Sequence, residues 1–256
     1  MLRNLNSLLG YTIHATDGEI GKIDDFYFDD ARWVVRYVVV DTGTWLTGRS
    51  VLLAPAALGT PDAGRKVVPV SLTRQQVEQS PDIDTDKPIT RQQEEELRRH
   101  FGWANYWYAD PLLGDPTFTT GAMPLSAAGM AAMAEDAAPS AFEKPGDPHL
   151  ESTRDVVGYH IQAVGGEIGH VEDFVVDDEN WAIRYVVVDT RNWLPGKKVL
   201  VAPQWVQSVD WAEAKVHVDL EREPIQNSPA YDPAVPIDRE YETRLWEHYG
   251  RPKYWT

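Results

Sequence analysis

The chain has no cysteine. That excludes disulfides, thiolate nucleophiles and structural Cys-zinc sites. No run of eighteen apolar residues occurs, so no segment predicts a membrane-spanning helix. Positive charge is scarce: 24 Lys and Arg stand against 40 Asp and Glu, a formal net charge of -16. A field of that sign repels phosphate backbones and anionic lipid heads, and no Lys/Arg-rich stretch provides a local exception. Nucleic acid and bare membrane are therefore poor direct partners, and no membrane insertion is expected. The opening MLRNLNSLLG lacks a continuous apolar core and a small-residue cleavage site, so it does not read as a secretory signal. The cytoplasm is the simplest expected location. G-x-S-x-G, P-loop, G-x-G-x-x-G and H-E-x-x-H patterns are all missing. The expectation is a protein that is not an enzyme, with no catalytic residues, cofactor or metal to assign.

What the chain does have is itself, twice. RYVVVDT stands at Arg36–Thr42 and again at Arg184–Thr190. Sliding the sequence by 148 residues aligns Gly10–Trp107 with Gly158–Trp255 without a gap, and Gly10–Pro55 matches Gly158–Pro203 at 27 of 46 positions. A single gapless period of that length indicates two duplicated domains, not a solenoid. The expected division is 1–108 for repeat one, 109–150 for a linker, and 151–256 for repeat two. The linker is rich in Ala, Pro and Gly and reads as mostly flexible.

Within a repeat, Asp17-Gly18 and Gly165-Gly166 supply a hairpin turn. The apolar points Ile20, Ile23, Phe26 and Phe28 change phase between Ile23 and Phe26, which predicts a bulge near Asp24-Asp25. In the next strand alternation puts Trp33, Val35, Tyr37 and Val39 on one face and Val34, Arg36, Val38 and Val40 on the other. Both faces are largely apolar, so both should be covered. Five or six short strands per repeat suffice for a small barrel. Helical tails follow. Thr73 with Gln76 and Thr90 with Gln93 read as capping boxes, Asp238 as a cap, and Gly102 and Gly250 as stops.

The ordered set of Asp-Gly or Gly-Gly, Glu-Ile-Gly, Asp-Phe, Trp…Arg-Tyr-Val-Val-Val-Asp and Gly-Lys/Arg…Val-Leu…Ala-Pro resembles the PRC-barrel domain, in both copies. The resemblance implies a mainly β chain: two tandem PRC-type β-barrels, each with a short C-terminal helical extension, joined by a flexible linker. It also implies a non-catalytic, protein-binding adaptor. Similar domains form the cytoplasmic part of photosynthetic reaction centres of purple bacteria, so peripheral assembly of such a membrane complex is an alternative. A ligand-binding or enzymatic cleft between the barrels is another. The partner expected is another protein, with the repeats packing on each other and the oligomeric state open.

Duplication filters the polar residues. Asp25/Asp173, Asp29-Asp30/Asp177-Asp178 and Asp41/Asp189 recur. They could hold a cation or do acid–base work, but turn and strand-end chemistry explains them more simply. His100 and His248 match and sit near helix C-termini, where the dipole favours them. Asp82, Asp84 and Asp86 mimic the start of a calcium loop, which Lys87 and Gln93 then break. Arg36 and Arg184 lie inside an apolar strand, so each should have a carboxylate partner, Asp25 or Asp41 being the nearest candidates in repeat one. Trp45, Trp103, Trp107, Trp193 and Trp255 either serve an interface or pack each tail onto its own barrel.

Overall fold

The structure, a computed structural model, describes residues 1–46, 48–83, 85, 89–108, 150–190 and 197–255. The linker expectation for 109–150 falls almost wholly outside these residues, as do Trp193, Asp84, Asp86 and Lys87. The chain begins with a short strand, β1 (Leu2–Asn4). Repeat one then forms β2 (Thr12–Ala15), β3 (Gly18–Asp29), β4 (Val34–Asp41), β5 (Ser50–Leu53) and β6 (Val67–Pro69). Helices α1 (Arg74–Glu78) and α2 (Arg91–Phe101) follow. Repeat two opens with β7 (Leu150–Ser152) and the single turn α3 (Thr153–Val156). Its remaining strands are β8 (His160–Val164), β9 (Gly166–Asp177), β10 (Ile183–Asp189), β11 (Lys198–Val201), β12 (Val206–Asp210) and β13 (Lys215–Glu221). Helices α4 (Arg222–Asn227) and α5 (Arg239–His248) close the chain. The fold is mainly β, with two sheets and a short helical tail after each. No helix among the described residues is long and apolar enough to cross a membrane.

The first sheet runs β5-β4-β3-β2-β6, and the second runs β11-β10-β9-β8-β13-β12. The long strand is the axis of each. One edge of β3 pairs with β4 over most of its length. The other edge pairs with β2 near its start and with β7, from the other repeat, near its end. The strand can serve two neighbours because it bends: the register with β4 slips between Ile23 and Asp25, at the expected bulge. The register in repeat two slips equivalently, between Val171 and Asp173.

The Glu-Ile-Gly motif has a steric cause. A Cβ on Gly21 would lie 2.1 Å from the Asp41 carbonyl oxygen, and one on Gly169 would lie 2.0 Å from that of Asp189. Only glycine lets the long strand approach the end of its neighbour this closely.

A second slip corrects the expected face assignment. Tyr27 pairs with Tyr37 but Phe28 pairs with Val35, so Arg36 is an extra residue. Alternation resets there. Val35 joins Val38 and Val40 in one buried cluster, while Tyr37 and Val39 lie in another with Leu97 of α2. Strict period-two counting carried Val35 to the wrong side.

The helix signals read from sequence are in place. Thr73–Gln76 and Thr90–Gln93 form complete capping boxes, and Asp238 accepts from the Tyr241 amide. Gly102 and Gly250 end their helices with φ of 71° and 61°.

Candidate functional site

Two constellations repeat in space as well as in sequence. The first is the contact between repeats. β1 pairs antiparallel with β9: Leu2 with Asp177, Arg3 with Val176, Asn4 with Val175. β7 pairs with β3 in the same register: Leu150 with Asp29, Glu151 with Phe28, Ser152 with Tyr27. Each repeat lends its first strand to the other. At the centre, Val34 bridges its own counterpart Ala182. The Val35 amide donates to the Trp181 carbonyl at 2.9 Å, and the Ile183 amide to the Trp33 carbonyl at 2.7 Å. Trp33 and Trp181 hold φ of 55° and 57°, the left-handed region that bulky residues avoid. The reciprocal bonds stabilise that conformation in both copies. Phe28 lies 5.6 Å from Phe174 and Phe26 lies 6.3 Å from Trp181, ring centre to ring centre, so the contact is apolar at its core.

Asp25 and Asp173 clamp the lent segments. Asp25 accepts from Ser152 Oγ (2.5 Å), Thr153 Oγ1 (2.8 Å) and the Arg154 amide (3.2 Å). Asp173 accepts from Asn4 Nδ2 (2.8 Å) and the Asn6 amide (3.1 Å). Burial pushes the Asp173 carboxyl above its ordinary range, against the pull of those donors. Asp178 takes Arg3 Nε at 2.6 Å, and the Tyr231 hydroxyl donates to Asn4 Oδ1 at 2.5 Å. A cleft of about 430 Å³ opens beside the clamps. Buried Leu5, Ile23 and Phe174 line it, with Asp24 and Arg154 joined in an ion pair at 2.8 Å. The matching pair Leu9 and Val157 borders it, each 41% exposed.

The second constellation lies under each long helix. Arg36 pairs with Asp29 at 3.2 Å and Arg184 with Asp177 at 3.1 Å. Asp25 and Asp41, the expected partners, bond elsewhere. The bulge directs each Arg toward the strand end, and Asp25 is occupied by the other repeat. Each guanidinium also covers a tail tyrosine: Arg36 lies 4.0 Å from the Tyr106 ring and Arg184 4.5 Å from Tyr254. Tyr106 donates to buried Glu94 at 2.8 Å, and Tyr254 to buried Glu242 at 2.7 Å. Tyr185 donates to Glu242 and accepts from Trp246 Nε1, both at 2.8 Å. Tyr37 accepts from Arg98 Nε at 3.0 Å, and Arg98 also donates to the Ala104 carbonyl. Burial, and then the neighbouring Glu94 or Glu242, pushes Tyr37, Tyr106 and Tyr185 far up. Burial and the bond to Glu242 push Tyr254 up to about 12.

Sequence reasoning missed Glu94 and Glu242. The signal was available, since they match at the 148-residue offset with Arg91 and Arg239 three residues before them. A run of three Glu hid the first among apparently solvated neighbours.

The remaining recurring residues have local duties. Asp29 Oδ1 accepts from the Ala31 and Arg32 amides, and Asp41 Oδ1 from the Gly43 amide. His100 and His248 contact the Gln76 and Pro224 carbonyls through Nε2 at 2.8 and 2.7 Å, joining the long helix of each tail to the short one. The half-buried tryptophans mostly meet arginines of their own repeat: Trp45 faces Arg74, Trp107 faces Arg91 and Trp255 faces Arg239, while Trp103 stacks on Phe101. Among the described residues no group of three His, Asp or Glu is arranged to hold a metal.

No curated protein matches the chain. The PRC-barrel domain pattern matches it twice, over residues 2–76 and 149–222. Both matches begin at the lent strand and end at the first tail helix, so each takes in the clamp, the bulged Arg and the close-approach glycine. The chain belongs to the PRC-barrel domain family, which it carries in tandem.

Proposed function

We propose that this chain is a non-catalytic, cytoplasmic adaptor that binds another protein through surfaces built on the paired repeats. One observation carries this reading. The polar residues that recur in both copies are engaged in building the fold: Asp25 and Asp173 hold lent strands, Asp29 and Asp177 hold bulged arginines, and Glu94 and Glu242 hold tyrosines. Duplication has kept an architecture. An adaptor needs such a scaffold, with recognition placed on the exposed side chains that it positions. Leu9 and Val157, brought side by side by the exchange, are an apolar pair suited to a partner.

Affinity co-purification of the full chain from its native cells tests this, with Leu9→Asp/Val157→Asp as the matched control. A protein that enriches with the parent and is lost with the double variant supports the reading. No enrichment under stabilising cross-linking would refute it.

The cleft favours a second reading, a small-ligand site between the repeats, since its volume suits a small molecule. A ligand that raises the melting temperature of the parent but not of an Ile23→Trp variant, chosen to fill the cleft, would support that reading over the first.

A further inference from the structure

We infer that the two repeats have become mutually specific halves: each exchange face binds the other repeat without the covalent connection and rejects a second copy of itself. The geometry is that of a twofold homodimer. Residue pairs recur with their roles exchanged: Arg3 opposes Val176 as Glu151 opposes Phe28, and Val35 bonds Trp181 as Ile183 bonds Trp33. An isologous interface has this reciprocity. A surface so built requires only a second domain of the same kind, not a tether, and a tether only raises the local concentration of the partner.

Three departures from symmetry make the match specific. The first is size. Fully buried Phe28 lies against Phe174 across the contact, and its counterpart is Val176. Two first repeats would place a second Phe in that packed core, and two second repeats would leave a void where the Phe28 ring now sits. The second departure is charge. Arg3 pairs with Asp178 at 2.6 Å, and its counterpart on the other lent strand is Glu151. In a pair of second repeats Glu151 would meet Asp178, carboxylate against carboxylate. The third is a hydrogen bond. Asn4 Oδ1 accepts from Tyr231, whose counterpart is Ile83. Two first repeats would leave Asn4 facing a side chain that cannot donate. Only the pairing of one with two satisfies all three, so selectivity comes from penalties on the wrong pairs as much as from contacts in the right one.

The test uses the full chain with a protease site inserted between residues 109 and 149. After cleavage, native mass spectrometry at micromolar concentration is expected to show the halves as a 1:1 complex. After denaturation and refolding of the cleaved pool, mixed pairs should exceed either like pair by about tenfold or more. Arg3→Glu should lower the mixed fraction about tenfold, and adding Asp178→Arg should restore most of it. Separation or unfolding of the halves on cleavage overturns the inference. A statistical mixture of like and mixed pairs, or an Arg3→Glu variant that pairs as the parent does, overturns its specificity.

Discussion

At the residue scale, environment decides what a recurring side chain costs to lose. The ion pair of Arg36 and Asp29 is almost sealed, each side chain 6% exposed, whereas Arg184 and Asp177 are 18% and 19% exposed. Asp29→Asn keeps the oxygen that caps the turn but takes the Asp29 counter-charge from a buried guanidinium. It should cost about 3 kcal/mol. Asp177→Asn, in better contact with water, should cost about 1 kcal/mol. Urea titration of the two variants checks the ordering, and equal costs would contradict it. Gly21→Ala tests sterics alone. Its new methyl would meet backbone, which cannot rotate away as a side chain can, so a loss of about 2–3 kcal/mol is expected by the same measurement.

At the scale of elements, the helical tails are bound by polar bonds in an otherwise apolar seam. Tyr185 bridges Glu242 of α5 and Trp246 of the same helix. Tyr185→Phe takes a donor from a buried carboxylate and should cost about 2 kcal/mol. Hydrogen exchange should quicken in α5 and stay unchanged in α2, where Tyr37 serves instead. Alkali acts on the same seam. An unfolded tyrosine titrates near 10, while Tyr254 titrates at about 12 and Tyr37, Tyr106 and Tyr185 are held higher still. Above pH 10 the unfolded chain therefore releases protons that the native chain keeps. The stability contributed by these groups is intact below pH 10 and is lost as pH rises through the folded values. Phenolate absorbance should lag behind the total tyrosine content until the chain unfolds, and then rise together with the loss of near-ultraviolet dichroism.

Elements also mark where sequence was readable. Caps, stops, the Asp24 bulge and the tandem repeat were legible because each is local or self-similar. The bulge at Arg36 was not, because an extra residue in an apolar strand leaves no gap in the pattern of apolar letters. The lent strands were less visible still. Leu2–Asn4 and Leu150–Ser152 are three residues each, too short for periodicity, and their strand character comes wholly from the edge that receives them. Asp25 and Asp173 were noticed as recurring, but their partners lie more than a hundred residues away.

For the whole molecule, the exchange makes the repeats depend on each other for strand pairing. The late half of β3 has β7 as its second neighbour, and the late half of β9 has β1. Unfolding either repeat removes a strand from the other's sheet and exposes Phe28, Phe174 and Trp181, which are buried in the intact chain. The free energy of that shared surface appears as cooperativity, so the two domains should melt in one calorimetric transition although they are separate in sequence. Asp25→Ala with Asp173→Ala removes both clamps and leaves each repeat's own β-ladder in place. Lost bonds to buried carboxylates are worth about 1.5–3 kcal/mol each, enough to uncouple domains whose individual stabilities differ. The double variant should then melt in two steps, the less stable repeat first. A parent chain that already melts in two steps would show that the exchange contributes little to holding the halves together. A double variant that keeps one sharp transition at the parent temperature would show that the apolar contact of Phe28 with Phe174 suffices without the clamps.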